Sequence, residues 1–149
     1  MAANRIIWLT AMILVVLFAF WRGRRPERLY AVLLVAGSFA TRFAQDIVNL
    51  GDPQLGILAV DVVLLAIFLA MAMTTDRWWL LFATAFQLVE VVTHAAMILD
   101  AGIEGLAYMR GLAIWGYLSL LSLFVGVWLI SGADEPAPGL SVSRSNPRR

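Results

Sequence analysis

Five ionisable side chains stand inside long apolar stretches of this sequence: Arg42, Asp46, Asp61, Glu90 and His94. If those stretches lie in a bilayer, each costs at least a few kcal/mol near its centre unless it is paired or hydrated, so each has a structural or a chemical reason to be there. Arg42, Gln45, Asp46 and Asn49 recur every three or four residues, which on a helix makes one polar stripe with Arg42 and Asp46 at pairing distance. Gln87, Glu90 and His94 repeat the pattern on a later segment, and Asp61 supplies a carboxylate from the segment between them. Turned inward together, the three segments predict a shared polar pocket in which three carboxylates face one Arg and one His.

That imbalance defines the chemistry on offer. A single guanidinium does not offset three carboxylates in an apolar medium, so protonation or a bound cation is expected, with His94 as the titrating base. Glu90 and His94 at i and i+4 are also spaced to share a divalent ion with Asp46 or Asp61, although one His and no Cys make a thin ligand set, and no metal is assigned. The plainest alternative is that the same groups are interhelical glue, Arg42 bridging Asp46 and Asp61 without binding or turnover. On the pocket view Arg42 is the fixed counter-charge, and Arg42→Met is expected to weaken the protein more than Asp61→Asn, because Arg cannot relieve its burial by losing a proton.

The elements that must position these residues are transmembrane helices. Apolar residues make up 62% of the chain and its mean hydropathy is +0.85, against roughly 45–50% apolar content in soluble domains. Apolar runs cover 6–21, 29–50, 55–73, 78–99 and 109–130, each near the ~20 residues that cross a hydrocarbon core. The fold predicted is an all-α integral membrane protein, a bundle of five transmembrane helices over 1–131, followed by a disordered tail over 132–149 rich in Pro, Ser, Gly and Arg. The first run is read as a retained span, because basic residues and no small-residue cleavage site follow it.

Orientation follows from Arg. The connection after the first run holds Arg22, Arg24, Arg25 and Arg28, that after the third holds Arg77, and the tail holds Arg144, Arg148 and Arg149. Positive-inside bias predicts an external N-terminus and a cytoplasmic C-terminus in a bacterial inner membrane. At a rise of ~1.5 Å per residue, Arg42 then lies about 12 Å and Glu90 about 13 Å from the outer end of its helix, and all five ionisable groups fall in the outer half. Thr75 or Asp76 is expected to cap the fourth helix. Ala36, Ala40 and Ala44, Ala66 and Ala70, and Ser122 and Gly126 are small residues four apart that permit close helix approach.

The stretch Asp76-Arg77-Trp78-Trp79, through Phe86-Gln87-Leu88, to Thr93-His94-Ala95-Ala96-Met97 resembles uncharacterised small multi-pass inner-membrane proteins of alphaproteobacteria, over roughly 24–128. That resemblance implies no activity. Length and six Trp are shared with the tryptophan-rich sensory proteins that bind porphyrins, but their Pro-rich, Trp-containing segment is absent. The function expected is non-enzymatic: an accessory or binding protein with a periplasm-facing polar pocket lined by Arg42, Gln45, Asp46, Asp61, Gln87, Glu90 and His94. The alternative is a subunit of an oligomeric proton- or ion-coupled transporter or channel. No catalytic residue and no cofactor is assigned. The partners expected are the lipid bilayer and either a second copy or a membrane complex, and a net charge of +1 gives no footprint for nucleic acid.

Overall fold

A computed structural model describes residues 2–45, 53–100 and 102–133. Five helices follow one another with short turns: α1 Ala2–Arg22, α2 Arg25–Ala44, α3 Leu55–Thr74, α4 Trp78–Leu99 and α5 Gly105–Ala133. No strand occurs among the described residues. Leu55–Thr74, Trp78–Leu99 and Gly105–Gly132 are each long and apolar enough to cross a membrane, while the apolar part of α1 is the shorter Ile6–Arg22. The chain is therefore an all-helical protein with at least three helices suited to a bilayer. Leu14, Leu17, Leu81, Val92, Ile114 and Leu121 are all exposed on the outside of the bundle, an apolar coat that water would penalise and lipid would not.

The helices close into a ring. Each packs on its neighbours in sequence, α1 returns to lie against α5, and α2 also touches α5 across the middle. Alternation of direction gathers the ends carrying Arg22, Arg24, Arg25, Arg28 and Arg77 at one pole, called here the Arg-rich end. Toward that end the interior is solid: Tyr30, Phe68, Trp79, Leu80, Leu123 and Val127 are at most 2% exposed and form one core cluster. Tyr30 stacks on Phe68 with centroids 4.3 Å apart and meets Trp79 edge-on at 5.3 Å. The indole of Trp79 reaches this place because α5 offers Gly126, where an added Cβ would come within 2.5 Å of Trp79 Cγ. Close packing of this kind leaves no room for a methyl group without displacement.

Several boundaries differ from those the apolar runs suggest, and each difference has a local cause. α2 begins at Arg25 because Pro26 is accommodated in a first helical turn and Glu27, three residues past Arg24, accepts the Arg24 backbone N–H at 3.0 Å. α2 ends at Ala44, six residues before the apolar run does, and Gln45 is already extended. The first turn of α3 packs against that end so closely that a Cβ on Gly56 would lie 2.5 Å from the Ala44 carbonyl oxygen. At the third turn, the residue before α4 is Arg77, not Thr75 or Asp76, and no side chain caps it. Thr75 instead donates its hydroxyl back to Met71 O at 2.8 Å, closing the end of α3. α5 starts at Gly105, four residues ahead of its apolar run. The tail from 134 onward lies outside the described residues. Ala36, Ala40, Ala66 and Ala70 are exposed on the outside, whereas Ser122 and Gly126 are buried between helices.

Candidate functional site

Away from the Arg-rich end the ring does not fill its centre. A cavity of about 850 Å³ lies between all five helices, from Trp8 on α1 and Ser38 and Thr41 on α2 to Asp61 on α3, Glu90 on α4 and Ser119 on α5. Its wall is mostly aliphatic and aromatic, with a few converging polar groups, which is the usual make-up of a small-molecule site, and its volume falls in the usual range of ~300–1,000 Å³. The floor lies deep. Ser119 is 14 residues beyond Gly105 on α5, about 21 Å along the helix axis.

Each carboxylate in the wall is held from behind. Gln87, 2% exposed, donates its amide to Glu90 Oε2 at 3.0 Å, a bond that the i, i+3 spacing on α4 makes possible. Among the described residues no donor is bonded to Glu90 Oε1. Asp61 is 6% exposed and its Oδ2 lies 3.0 Å from Nε2 of His94, itself 1% exposed. Behind the imidazole stands Tyr108, its hydroxyl 2.6 Å from His94 Nδ1 and its ring edge-on to the imidazole at 5.4 Å. The Gln54 backbone N–H in turn reaches the Tyr108 oxygen at 3.4 Å.

One assignment of protons satisfies every member of that chain. Gln54 N–H donates to the Tyr108 oxygen, Tyr108 O–H donates to Nδ1 of a neutral imidazole, and His94 Nε2–H donates to ionised Asp61. The chain joins α3, α4 and α5 at the pole opposite the Arg-rich end and fixes the Asp61 carboxylate at the cavity wall. Buried networks of this kind rigidify a site to the extent that their groups are partnered, and here both ring nitrogens of His94 and the Tyr108 hydroxyl are.

Of the residues singled out in the sequence, Asp61, Gln87, Glu90 and Gln45 line the cavity, and His94 lies directly behind Asp61. Arg42 does not join them. It is exposed on the last turn of α2 and donates to Gln45 Oε1 at 3.2 Å. The early end of α2 is the reason, since it puts Arg42 near the pole, where a cation also meets the unsatisfied carbonyls of a helix C-terminus. Asp46 and Asn49 lie outside the described residues, so the Arg42–Asp46 pair does too. Among the described residues no three His, Asp or Glu side chains gather as a metal site would require. Thr93, the hydroxyl nearest in sequence to Glu90 and His94, donates to its own helix at Val89 O, 2.7 Å away.

Three features were not visible in the spacing. Tyr108 is the first, because the run of apolar residues begins after it. Ser119 is the second: it is 1% exposed, lines the cavity, and its Oγ makes no well-formed hydrogen bond among the described residues. The Tyr30 hydroxyl approaches it without closing a well-formed hydrogen bond. The Tyr117 hydroxyl is buried beside the cavity with no partner among the described residues, its ring packed edge-on to Trp8 at 4.9 Å. Glu27 is the third. Fully buried at the Arg-rich end, it accepts the Trp79 indole N–H at 3.2 Å and lies 3.7 Å from Arg77 Nε. An Arg-x-x-Glu spacing with Pro between, at the start of an apolar run, was the available signal for it.

No family model matches the chain, and neither the curated proteins nor the solved structures contain a significant match to it.

Proposed function

We propose that this chain is a small inner-membrane binding protein whose five helices all span the bilayer, with the N-terminus and the cavity mouth on the periplasmic side and the tail in the cytoplasm. The observation that carries this reading is a cavity with the Ser119 hydroxyl, which makes no well-formed hydrogen bond among the described residues, at its deep end and the packed Tyr30, Phe68, Trp79 and Leu123 cluster beyond it. A pocket of drug-like volume whose buried hydroxyls lack partners is arranged for a guest that supplies them. The ring supports five spans: α1 and α2 pack side by side with helices that are long and apolar enough to cross. The distribution of Arg supports the orientation. The filled core between the cavity and the Arg-rich end argues against conduction through a single copy, and so favours binding over transport.

The absence of native cysteine makes the test direct. Thr41, in the cavity wall, is replaced in Thr41→Cys, and Ser143, in the tail, in Ser143→Cys. Each is exposed to the membrane-impermeant trimethylammonium-ethyl methanethiosulfonate, in intact cells whose outer membrane has been permeabilised and in inverted vesicles. Thr41→Cys is expected to be modified only in the cells and Ser143→Cys only in the vesicles. Modification of Thr41→Cys from the vesicle side, or from neither side, would overturn the periplasm-facing cavity.

A further inference from the structure

Resting on that reading, we infer that the guest is an amphipathic organic cation, a protonated amine on an apolar body, held by Glu90 beside the Trp8 indole. The charge inventory of the wall comes first. Among the described residues two carboxylates line the cavity, Asp61 and Glu90, and no basic side chain does. Asp61 has its Oδ2 bonded to His94 and Glu90 its Oε2 to Gln87, and what singles out Glu90 is that its Oε1, with no donor among the described residues, borders the same point as the Trp8 indole.

The room for that ligand is at Gly116. An atom placed where its Cβ would stand lies 3.6 Å from Glu90 Oε1 and 3.3 Å from Trp8 Cη2, so a ligand atom there would touch both, close against the indole. Carboxylate and indole thus border one point. A carboxylate with an aromatic wall beside it suits an ammonium group, which gains from both the opposite charge and the ring electrons. Among the described residues an anion would meet two like charges and no cation in a medium of low dielectric, which is costly.

The rest of the cavity selects for an organic body and against a bare ion. Leu34, Ile57, Leu64, Met109 and Leu112 surround the volume with aliphatic surface that a hydrated metal would leave unused. The Ser119 hydroxyl in the floor, which makes no well-formed hydrogen bond among the described residues, can accept an ammonium N–H or bond a polar group on the guest.

The test uses three probes of one skeleton and different charge: 1-pyrenemethylamine, 1-pyrenemethanol and 1-pyrenecarboxylate. Binding is measured by fluorescence anisotropy on the full chain in nanodiscs of neutral phosphatidylcholine, which avoids concentrating the amine at anionic lipid. In the parent the amine is expected to bind at least tenfold tighter than the alcohol, and the carboxylate most weakly. Glu90→Gln, which keeps the shape of the side chain, is expected to bring amine and alcohol to within about threefold of each other. Equal or weaker binding of the amine than the alcohol by the parent overturns the assignment even if the variant fails to fold. An amine preference that survives in folded Glu90→Gln overturns the role of Glu90. Selective binding of the alcohol would leave the cavity as a binding site and remove only its cation preference, whereas no binding of any probe to folded parent would remove the binding reading itself.

Discussion

Glu27→Leu is expected to destabilise the protein by about 2 to 4 kcal/mol, the scale of stranding one partner of a buried, charge-assisted contact. The carboxylate is fully buried and does three things at once. It accepts the indole N–H of Trp79, it ties off the Arg24 backbone N–H at the start of α2, and it faces Arg77 at 3.7 Å. Leucine fills the same space but leaves the Trp79 donor buried without an acceptor. Trp79 cannot turn away to find water, since its ring is seated against Gly126 and Tyr30. Glu27→Gln, which retains an acceptor oxygen, is expected to cost about half as much. Circular dichroism during titration of dodecylmaltoside-solubilised protein with sodium dodecyl sulfate measures both, and equal stability of parent and Glu27→Leu would show that the contact is incidental.

The second large effect is expected at His94. His94→Phe keeps an aromatic ring beside Tyr108, though a somewhat larger one, but leaves Asp61 and the Tyr108 hydroxyl without their shared partner, at a cost of about 2 to 4 kcal/mol. In an Asp61→Ala background the same substitution strands no carboxylate. The cycle is therefore expected to show a coupling of about 1 to 2 kcal/mol between the two sites, and additive effects would mean that the contact carries no energy. Arg42→Met, by contrast, is expected to cost under about 1 kcal/mol, as exposed ion pairs and hydrogen bonds do. That order reverses the one the sequence suggests, in which Arg42 is the keystone and Asp61 is dispensable.

The reversal has a single origin in the length of α2. Hydropathy runs on to Leu50 and places Arg42 two turns inside the helix, but the backbone leaves the helix at Gln45. Nothing in a count of apolar residues marks that exit, because Gly56, whose lack of a side chain lets α3 come so close to Ala44, belongs to the next element. The inward placement of Asp61, Gln87 and Glu90 was legible for the opposite reason: spacing along one helix is local information, and α3 and α4 begin and end within a residue of where their apolar runs do. Tyr108 and Ser119 carry no periodic polar signal, and their meaning depends on which helix lies across from them. Glu27 hid among four Arg of a segment that topology alone explains.

The central claim is that the space between the helices is a binding cavity rather than a packing fault, and Gly116→Leu isolates it, since the new side chain would occupy the gap between Trp8 and Glu90. The measurement is the thermal unfolding midpoint of parent and variant in detergent, each with and without the tightest-binding of the three pyrene probes at about 100 times its dissociation constant. At that excess a bound ligand stabilises the folded state by about 2.7 kcal/mol, so the parent's midpoint is expected to rise by several degrees while that of Gly116→Leu stays within error of its own ligand-free value. The same rise in both proteins, or a rise in neither, would contradict a ligand held between these helices.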